Sequence, residues 1–226
     1  MRPKAVFLDF GGTLAEPIAD PLDVWLDLSR ALGLGLDRET LKAALAAENA
    51  WFQTAVFAYH GRTHEFWPLY DRRILARAGI PNPDPALVAK IEDWFKGVTW
   101  NRIYPETHEV LDALRGRGYL LHVISNSTDE VMDRLRELGL MSYFSSVTYS
   151  QEAGANKPDP APFRLALQRA GCEPGDAVHI GNWYEDDVVG ARGVGIAPVL
   201  VDRDDRRPDA DCPRIQDLRG LLGFLE

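Results

Sequence analysis

Ala5-Val6-Phe7-Leu8-Asp9-Phe10-Gly11-Gly12-Thr13-Leu14 reads as a short apolar strand that ends on a carboxylate, followed by two glycines and a hydroxyl. In a parallel α/β sheet the carboxyl edge of the strands is where ligands sit, so Asp9 is expected to face a substrate rather than the core. Glycines let backbone N–H groups approach an anion closely, which makes Gly11, Gly12 and Thr13 candidate substrate-binding positions. A carboxylate placed this way can act as a nucleophile that carries a covalent intermediate. The competing reading is a helix N-cap aspartate, but Gly11-Gly12 is a poor helix opening.

Working outward, strand signals recur at Lys4–Phe10, Tyr119–Ser125, Ser145–Tyr149, Ala177–Gly181 and Pro198–Asp202. Each is short and apolar, as strands buried on both faces are. Helical stretches separate the last four. Ser127-Thr128-Asp129-Glu130 has the form of a capping box, and Asp159-Pro160 that of an N-cap with proline at the first helical position, with Gly171 as the stop. Alternating strand and helix predicts a three-layer α/β core around a parallel sheet with right-handed crossovers.

Between Ala15 and Trp100 the alternation stops. Four helical segments are expected there, near 21–32, 38–59, 64–78 and 85–95, with Gly33, Gly61 and Gly79 as punctuation and Asp84-Pro85 as a further helix start. Trp25, Trp51, Trp94 and Trp100 are read as the apolar interior of this insert. The division expected is a catalytic core of residues 1–14 and 101–226 and an all-helical cap of residues 15–100. The charged, proline-bearing stretch Asp202–Pro213 is read as a solvated connection. His60 and His64 are four apart, a metal pair only if they share a helix, and Gly61 argues against that.

Composition narrows the function. Net charge is −9 with no long basic run, which argues against nucleic acid or an anionic membrane as partner. No apolar run reaches the roughly 18 residues needed to span a bilayer. Cys172 and Cys212 are too few and too scattered for a disulfide framework or a zinc site. The expected partner is a small, anionic molecule, and the expected address the cytoplasm, because the N-terminus enters a strand with no room for a signal peptide.

Three further clusters fall at carboxyl ends of predicted strands: Ser125-Asn126, then Lys157 before Pro158-Asp159, then Gly181-Asn182-Trp183-Tyr184-Glu185-Asp186-Asp187. A nucleophilic carboxylate, anion donors, a lysine and clustered acids together suit phosphoryl transfer, which needs mainly positioning and charge neutralisation. This order, with a helical insert between the first two clusters, resembles the haloacid dehalogenase superfamily over nearly the whole chain. The family pattern is a strand ending Asp-x-Asp-x-Thr, a strand ending in Ser or Thr, a lysine, and Gly-Asp with a later Asp.

The resemblance implies a Rossmann-like core under a mobile helical cap and covalent catalysis through Asp9. It implies that Ser125 and Asn126 hydrogen-bond the transferred group and that Lys157 offsets charge on it and on Asp9. It implies Mg²⁺ near Asp9, the Gly11 carbonyl, Asn182, Asp186 and Asp187, with Asp187 the more functional of the last two. Trp183 stands where the family has a small residue and is read as a wall that limits substrate size, the competing reading being packing between cap and core. Two departures matter. The second Asp of the first motif, the general acid–base in the family's phosphatases, is Gly11 here, and the usual metal-binding Asp is Asn182. The reading is a phosphatase for small phosphate monoesters first, a metal-independent 2-haloacid dehalogenase second, and a catalytically inactive binding module third.

Overall fold

The computed structural model describes residues 3–60 and 62–225; Gly61, read as a helix breaker, lies outside them. Six parallel strands form the main sheet in the order β5-β4-β1-β6-β7-β8. They are β1 (Ala5–Leu8), β4 (Leu120–Ser125), β5 (Ser146–Tyr149), β6 (Ala177–Gly181), β7 (Ala197–Val201) and β8 (Arg214–Ile215), while β2 (Ala15–Pro17) and β3 (Asn101–Ile103) pair separately. The described residues of Met1–Glu16 and Asn101–Glu226 make one compact unit, and Pro17–Trp100 another.

Central strand β1 shows how an apolar run serves two layers. Side chains alternate across a strand, so Val6 and Leu8 enter one buried cluster and Ala5 and Phe7 the opposite one. Parallel register sets Leu8 beside Val123 and Ile180. Residues just past those three positions therefore leave the sheet along one edge: Asp9, Ser125-Asn126 and Gly181-Asn182.

The second unit is all-helical apart from its first residue, which closes β2: α1 (Pro21–Leu32), α2 (Arg38–Ala55), α3 (Thr63–Arg77) and α4 (Pro85–Lys96), with a 3₁₀ turn at Val56–Tyr59. Aspartates open three of these helices. Asp20, Asp37 and Asp84 each accept a backbone N–H at 2.8 Å, meeting donors that a helix start leaves unpaired. Trp25, Leu28, Leu41, Ile74 and Ile91 are buried between the helices. Trp51 is only half-buried, stacked on Phe66 with ring centroids 5.7 Å apart. His60 precedes α3 and His64 lies within it, so they do not share a helix. No helix among the described residues is long and apolar enough to cross a membrane.

Inside this unit Asp71 on α3 is 2% exposed and lies beside the Glu92 carboxyl on α4. Burial, reinforced by Glu92, pushes Asp71 up to about 9. A carboxyl that holds its proton more tightly folded than unfolded contributes stability fully present below about pH 4, which is lost as pH rises towards 9. Asp71→Asn keeps a hydrogen-bonding side chain without the ionisation. It is expected to raise the melting temperature at pH 8 by on the order of 5 °C and to differ little at pH 4.5, read by calorimetry at the two pH values.

The first unit adds α5 (Thr107–Gly116), α6 (Glu130–Glu137), α7 (Ser150–Ala153), α8 (Pro160–Ala170), α9 (Gly190–Gly193) and α10 (Gly220–Phe224). Residues of α5, α6 and α10 pack on one face of the sheet and residues of α8 and α9 on the other. The capping box expected at Ser127–Glu130 does not form. Asp129 stands at the N-cap of α6, and its side chain does not cap the helix. The Ser127 N–H instead donates to Ser150 Oγ at 3.1 Å, and the Ser150 hydroxyl donates to the Ser127 carbonyl at 3.2 Å. A neighbouring strand end outcompetes the local cap for those polar groups. Asp159 does cap α8, accepting from the Ala161 N–H at 2.8 Å.

Candidate active site

Asp9 sits one residue beyond β1, with its N–H held by the Ile180 carbonyl at 2.8 Å. Its two oxygens have different partners. Oδ1 accepts from Lys157 Nζ at 2.8 Å, and Oδ2 accepts from the Thr13 hydroxyl at 3.2 Å. Lys157 lies 148 residues away in sequence and is 3% exposed. Its ammonium also donates to Asp187 Oδ1 at 2.6 Å and to the Ile124 carbonyl at 3.1 Å. An ammonium has three N–H donors, so every one of them is taken.

Two carboxylates share that single cation. Burial drives Asp9 up to about 6 against the pull of Lys157, with Asp187 pushing the same way. Burial and Asp187 thus oppose the Asp9 charge, and Lys157 favours it. Burial also works against the Asp187 charge, yet Lys157 and His179 hold its carboxyl well below the usual range. For Lys157 burial is outweighed by the two carboxylates, which raise its pKa.

Asp187 is anchored on every side. Oδ1 also faces His179 Nε2 at 2.9 Å, and Oδ2 accepts the Trp183 N–H at 3.0 Å. Tyr184–Val189 makes a wide π-helical turn rather than the opening of an α-helix, and this brings Asp187 back beneath the strand end. Gly181 permits it: a Cβ there would come within 2.1 Å of Asp187 Cγ. Both Asp187 oxygens therefore already have hydrogen-bond partners within the protein.

Three expected roles change. Asn126 clamps the lysine segment instead of pointing at a substrate. Its Oδ1 accepts the Lys157 N–H at 2.7 Å, and its Nδ2 donates to the Lys157 carbonyl at 3.1 Å and to Asp186 Oδ2 at 3.2 Å. The Thr13 side chain is buried and serves Asp9. The Gly12 and Thr13 N–H groups turn inward to Ala15 and Phe10 carbonyls at 2.7 and 3.4 Å, because the loop closes on itself as a tight turn. The Gly11 N–H enters no backbone hydrogen bond among the described residues. Ser125 ends β4, 5% exposed, while Trp183 is 62% exposed.

Asn182 packs against Gly12, whose φ of +83° suits glycine and where a Cβ would come within 2.2 Å of the amide. Turned with Nδ2 inward, the amide donates to the Gly11 carbonyl at 3.0 Å and to Asp9 Oδ2 at 3.3 Å. Turned with Oδ1 inward, it sets that oxygen 3.0 Å from the Gly11 carbonyl and 3.3 Å from Asp9 Oδ2, near the edge of a Mg²⁺ octahedron, about 3 Å for bonds of 2.0–2.1 Å. One carboxylate and two neutral oxygens are a donor set of the kind Mg²⁺ takes. Among the described residues no three His, Cys, Asp or Glu side chains are grouped for a metal.

Two residues escaped the sequence reading. His179 is fully buried on β6, with its ring edge-on to Phe163 at 5.2 Å. A lone histidine in an apolar strand carries no pattern. Arg203 lies in the stretch expected to be a solvated loop. There Asp202 is itself 6% exposed and accepts the Arg206 and Arg207 N–H groups at 2.8 and 2.9 Å.

A parallel α/β core with a buried carboxylate–lysine pair at the end of its central strand, interrupted after that strand by a helical unit, defines a Rossmann-like hydrolase with an insertion. The chain belongs to the haloacid dehalogenase-like hydrolases, whose model matches residues 3–195. It is 30% identical to the phosphoserine phosphatase of Thermus thermophilus, over 97% of this chain and 98% of that protein. It is 34% identical to the glyceraldehyde 3-phosphate phosphatase of Methanothermobacter thermautotrophicus over 58% of this chain, and that match spans only 61% of the relative. The crystal structure of a 2-haloacid dehalogenase from Pseudomonas syringae pv. Tomato DC3000 superposes with a TM-score of 0.74 at 28% identity, covering 99% of this chain and 98% of that one.

Proposed function

We propose that this hydrolase is a phosphatase for small phosphate monoesters that works through a phosphoryl-aspartate on Asp9. The observation that carries the reading is the Asp9 carboxyl accepting from Lys157 Nζ at 2.8 Å, at the end of the central strand. The phosphatase names of relatives up to 34% identical support the choice of reaction.

An Asp9 oxygen attacks phosphorus and the ester P–O bond breaks, leaving an acyl phosphate and the alcohol's oxyanion. Water then attacks phosphorus, the acyl phosphate's bridging P–O bond breaks, and Asp9 and inorganic phosphate are regained. Lys157, saturated by Asp9, Asp187 and the Ile124 carbonyl, acts as a fixed charge that keeps Asp9 deprotonated and aimed. The Gly11 N–H and Ser125 bind the phosphoryl oxygens, and Trp183 bounds the rest of the substrate. Mg²⁺, held by Asp9, the Gly11 carbonyl and Asn182 Oδ1 with Asp186 as the remaining acid of that edge, supplies charge neutralisation when bound. With one carboxylate where the family usually has two, affinity for the ion is weak.

Residue 11 has no proton to give. The substrates best served are those whose leaving oxygen departs unprotonated, such as aryl phosphates. Gly11 and Asn182 equally suit a halide leaving group, which makes 2-haloacid dehalogenation the second reading. One assay separates them. Hydrolysis of 4-nitrophenyl phosphate that collapses with chelator is the expected result. Chelator-insensitive chloride release from 2-chloropropionate, without phosphate release from the ester, would replace the first reading by the second.

A further inference from the structure

Arg203 follows β7 and reaches back beneath the nucleophile loop, 190 residues earlier in sequence. Its Nη2 donates to the Thr13 carbonyl at 3.0 Å and its Nε to the Gly12 carbonyl at 3.4 Å. Its Nη1 donates to Glu106 Oε1 at 2.8 Å. The guanidinium lies over the Tyr104 ring, 3.4 Å from the centroid. Glu106 is 3% exposed; burial alone would raise its carboxyl, but backbone N–H groups and Arg203 hold it below the usual range. Glu106 neutralises Arg203, so the pair adds little net field at Asp9 and its effect there is one of geometry.

The geometry leads to the reacting atom in two links. Arg203 holds the Thr13 carbonyl, and the Thr13 hydroxyl donates to Asp9 Oδ2. A planar fork spreads its N–H donors over three nitrogens in a fixed geometry that reaches two adjacent carbonyls and a carboxylate together, a spread that the single nitrogen of a lysine does not reproduce. We propose that Arg203 is a positioning residue for the nucleophile: it locks the Gly12-Thr13 turn so that the Thr13 hydroxyl orients Asp9. The kinetic part of this rests on the phosphatase reading. The structural part does not.

The test uses the full-length protein with Arg203→Lys, Thr13→Val and the two together. Lysine keeps the charge facing Glu106 and loses the fork. If Arg203→Lys melts early, the paired Arg203→Gln/Glu106→Gln variant, which removes both charges together, takes its place. Hydrogen exchange of the peptide spanning residues 10–15 is expected to speed up about tenfold or more, since freed turn carbonyls loosen local structure. With 4-nitrophenyl phosphate, kcat is expected to fall about 10–100-fold with KM within about twofold, the pattern of a misplaced reacting group. The double variant is expected to be about as slow as Thr13→Val alone, because both act on one link.

Unchanged loop exchange overturns the proposal, as does wild-type kcat in Arg203→Lys or fully additive losses in the double variant. If the wild-type protein does not hydrolyse the ester, the phosphatase reading fails, and exchange at residues 10–15 still decides whether Arg203 holds the loop.

Discussion

Asp9→Asn is expected to abolish turnover, by at least about 10⁴-fold in kcat, while the melting temperature stays the same or rises. The two halves have one cause. Asp9 carries a charge that burial disfavours, which is why its carboxyl is pushed up to about 6. The amide has the same shape, and its oxygen can accept from Lys157 where Asp9 Oδ1 did. Lys157 keeps Asp187 at 2.6 Å and the Ile124 carbonyl at 3.1 Å, so its ammonium is not left unpaired. What disappears is a nucleophilic oxygen, not a prop of the fold. Steady-state hydrolysis and calorimetry on the same preparation check both halves. Retained activity would end covalent catalysis at Asp9, and a collapsed melting temperature would mean that the Asp9 charge is structural.

Gly11→Asp is expected to do the reverse and add function. A Cβ at residue 11 meets nothing within 4 Å, and Gly11 is not among the glycines with positive φ. Backbone and space thus both accept a side chain, unlike Gly12 next door. A carboxylic acid there could protonate a departing alkoxide, and general acid–base catalysis is typically worth about 10²–10⁴-fold. The gain must depend on the leaving group. Hydrolysis of an alkyl phosphate such as glycerol phosphate is expected to rise about 10²-fold, with 4-nitrophenyl phosphate changing little. Equal gains on both esters would show that the new carboxyl acts by binding rather than by proton transfer.

The core strands were legible because each lies between two helical layers and is therefore an unbroken apolar run. The expectation at Ala177–Gly181 coincides with β6, and those at Tyr119–Ser125 and Ser145–Tyr149 overshoot β4 and β5 by one residue. Strands β2, β3 and β8, of two or three residues, are too short to leave a period. Asp-Pro helix starts were readable because the cap is local, within two residues of the proline. The Ser127 cap misled because a group on a sequence-distant segment, Ser150, took the backbone partner first.

By itself the sequence determined that Asp9, Ser125, Lys157 and the acidic run after Gly181 would meet along one edge. Strand ends in a parallel sheet all point the same way, and a strand announces its end in its own residues. Only the tertiary structure decided which atoms those side chains engage. It turned Asn126 onto the Lys157 backbone, Thr13 onto Asp9 and Asp187 onto Lys157 and His179, and it drew Arg203 out of an apparent loop to hold the turn beneath Asp9. Hydrogen-bond partners are chosen by proximity in space among groups that burial has stripped of water, and pairs 148 or 190 residues apart leave no period or spacing to read.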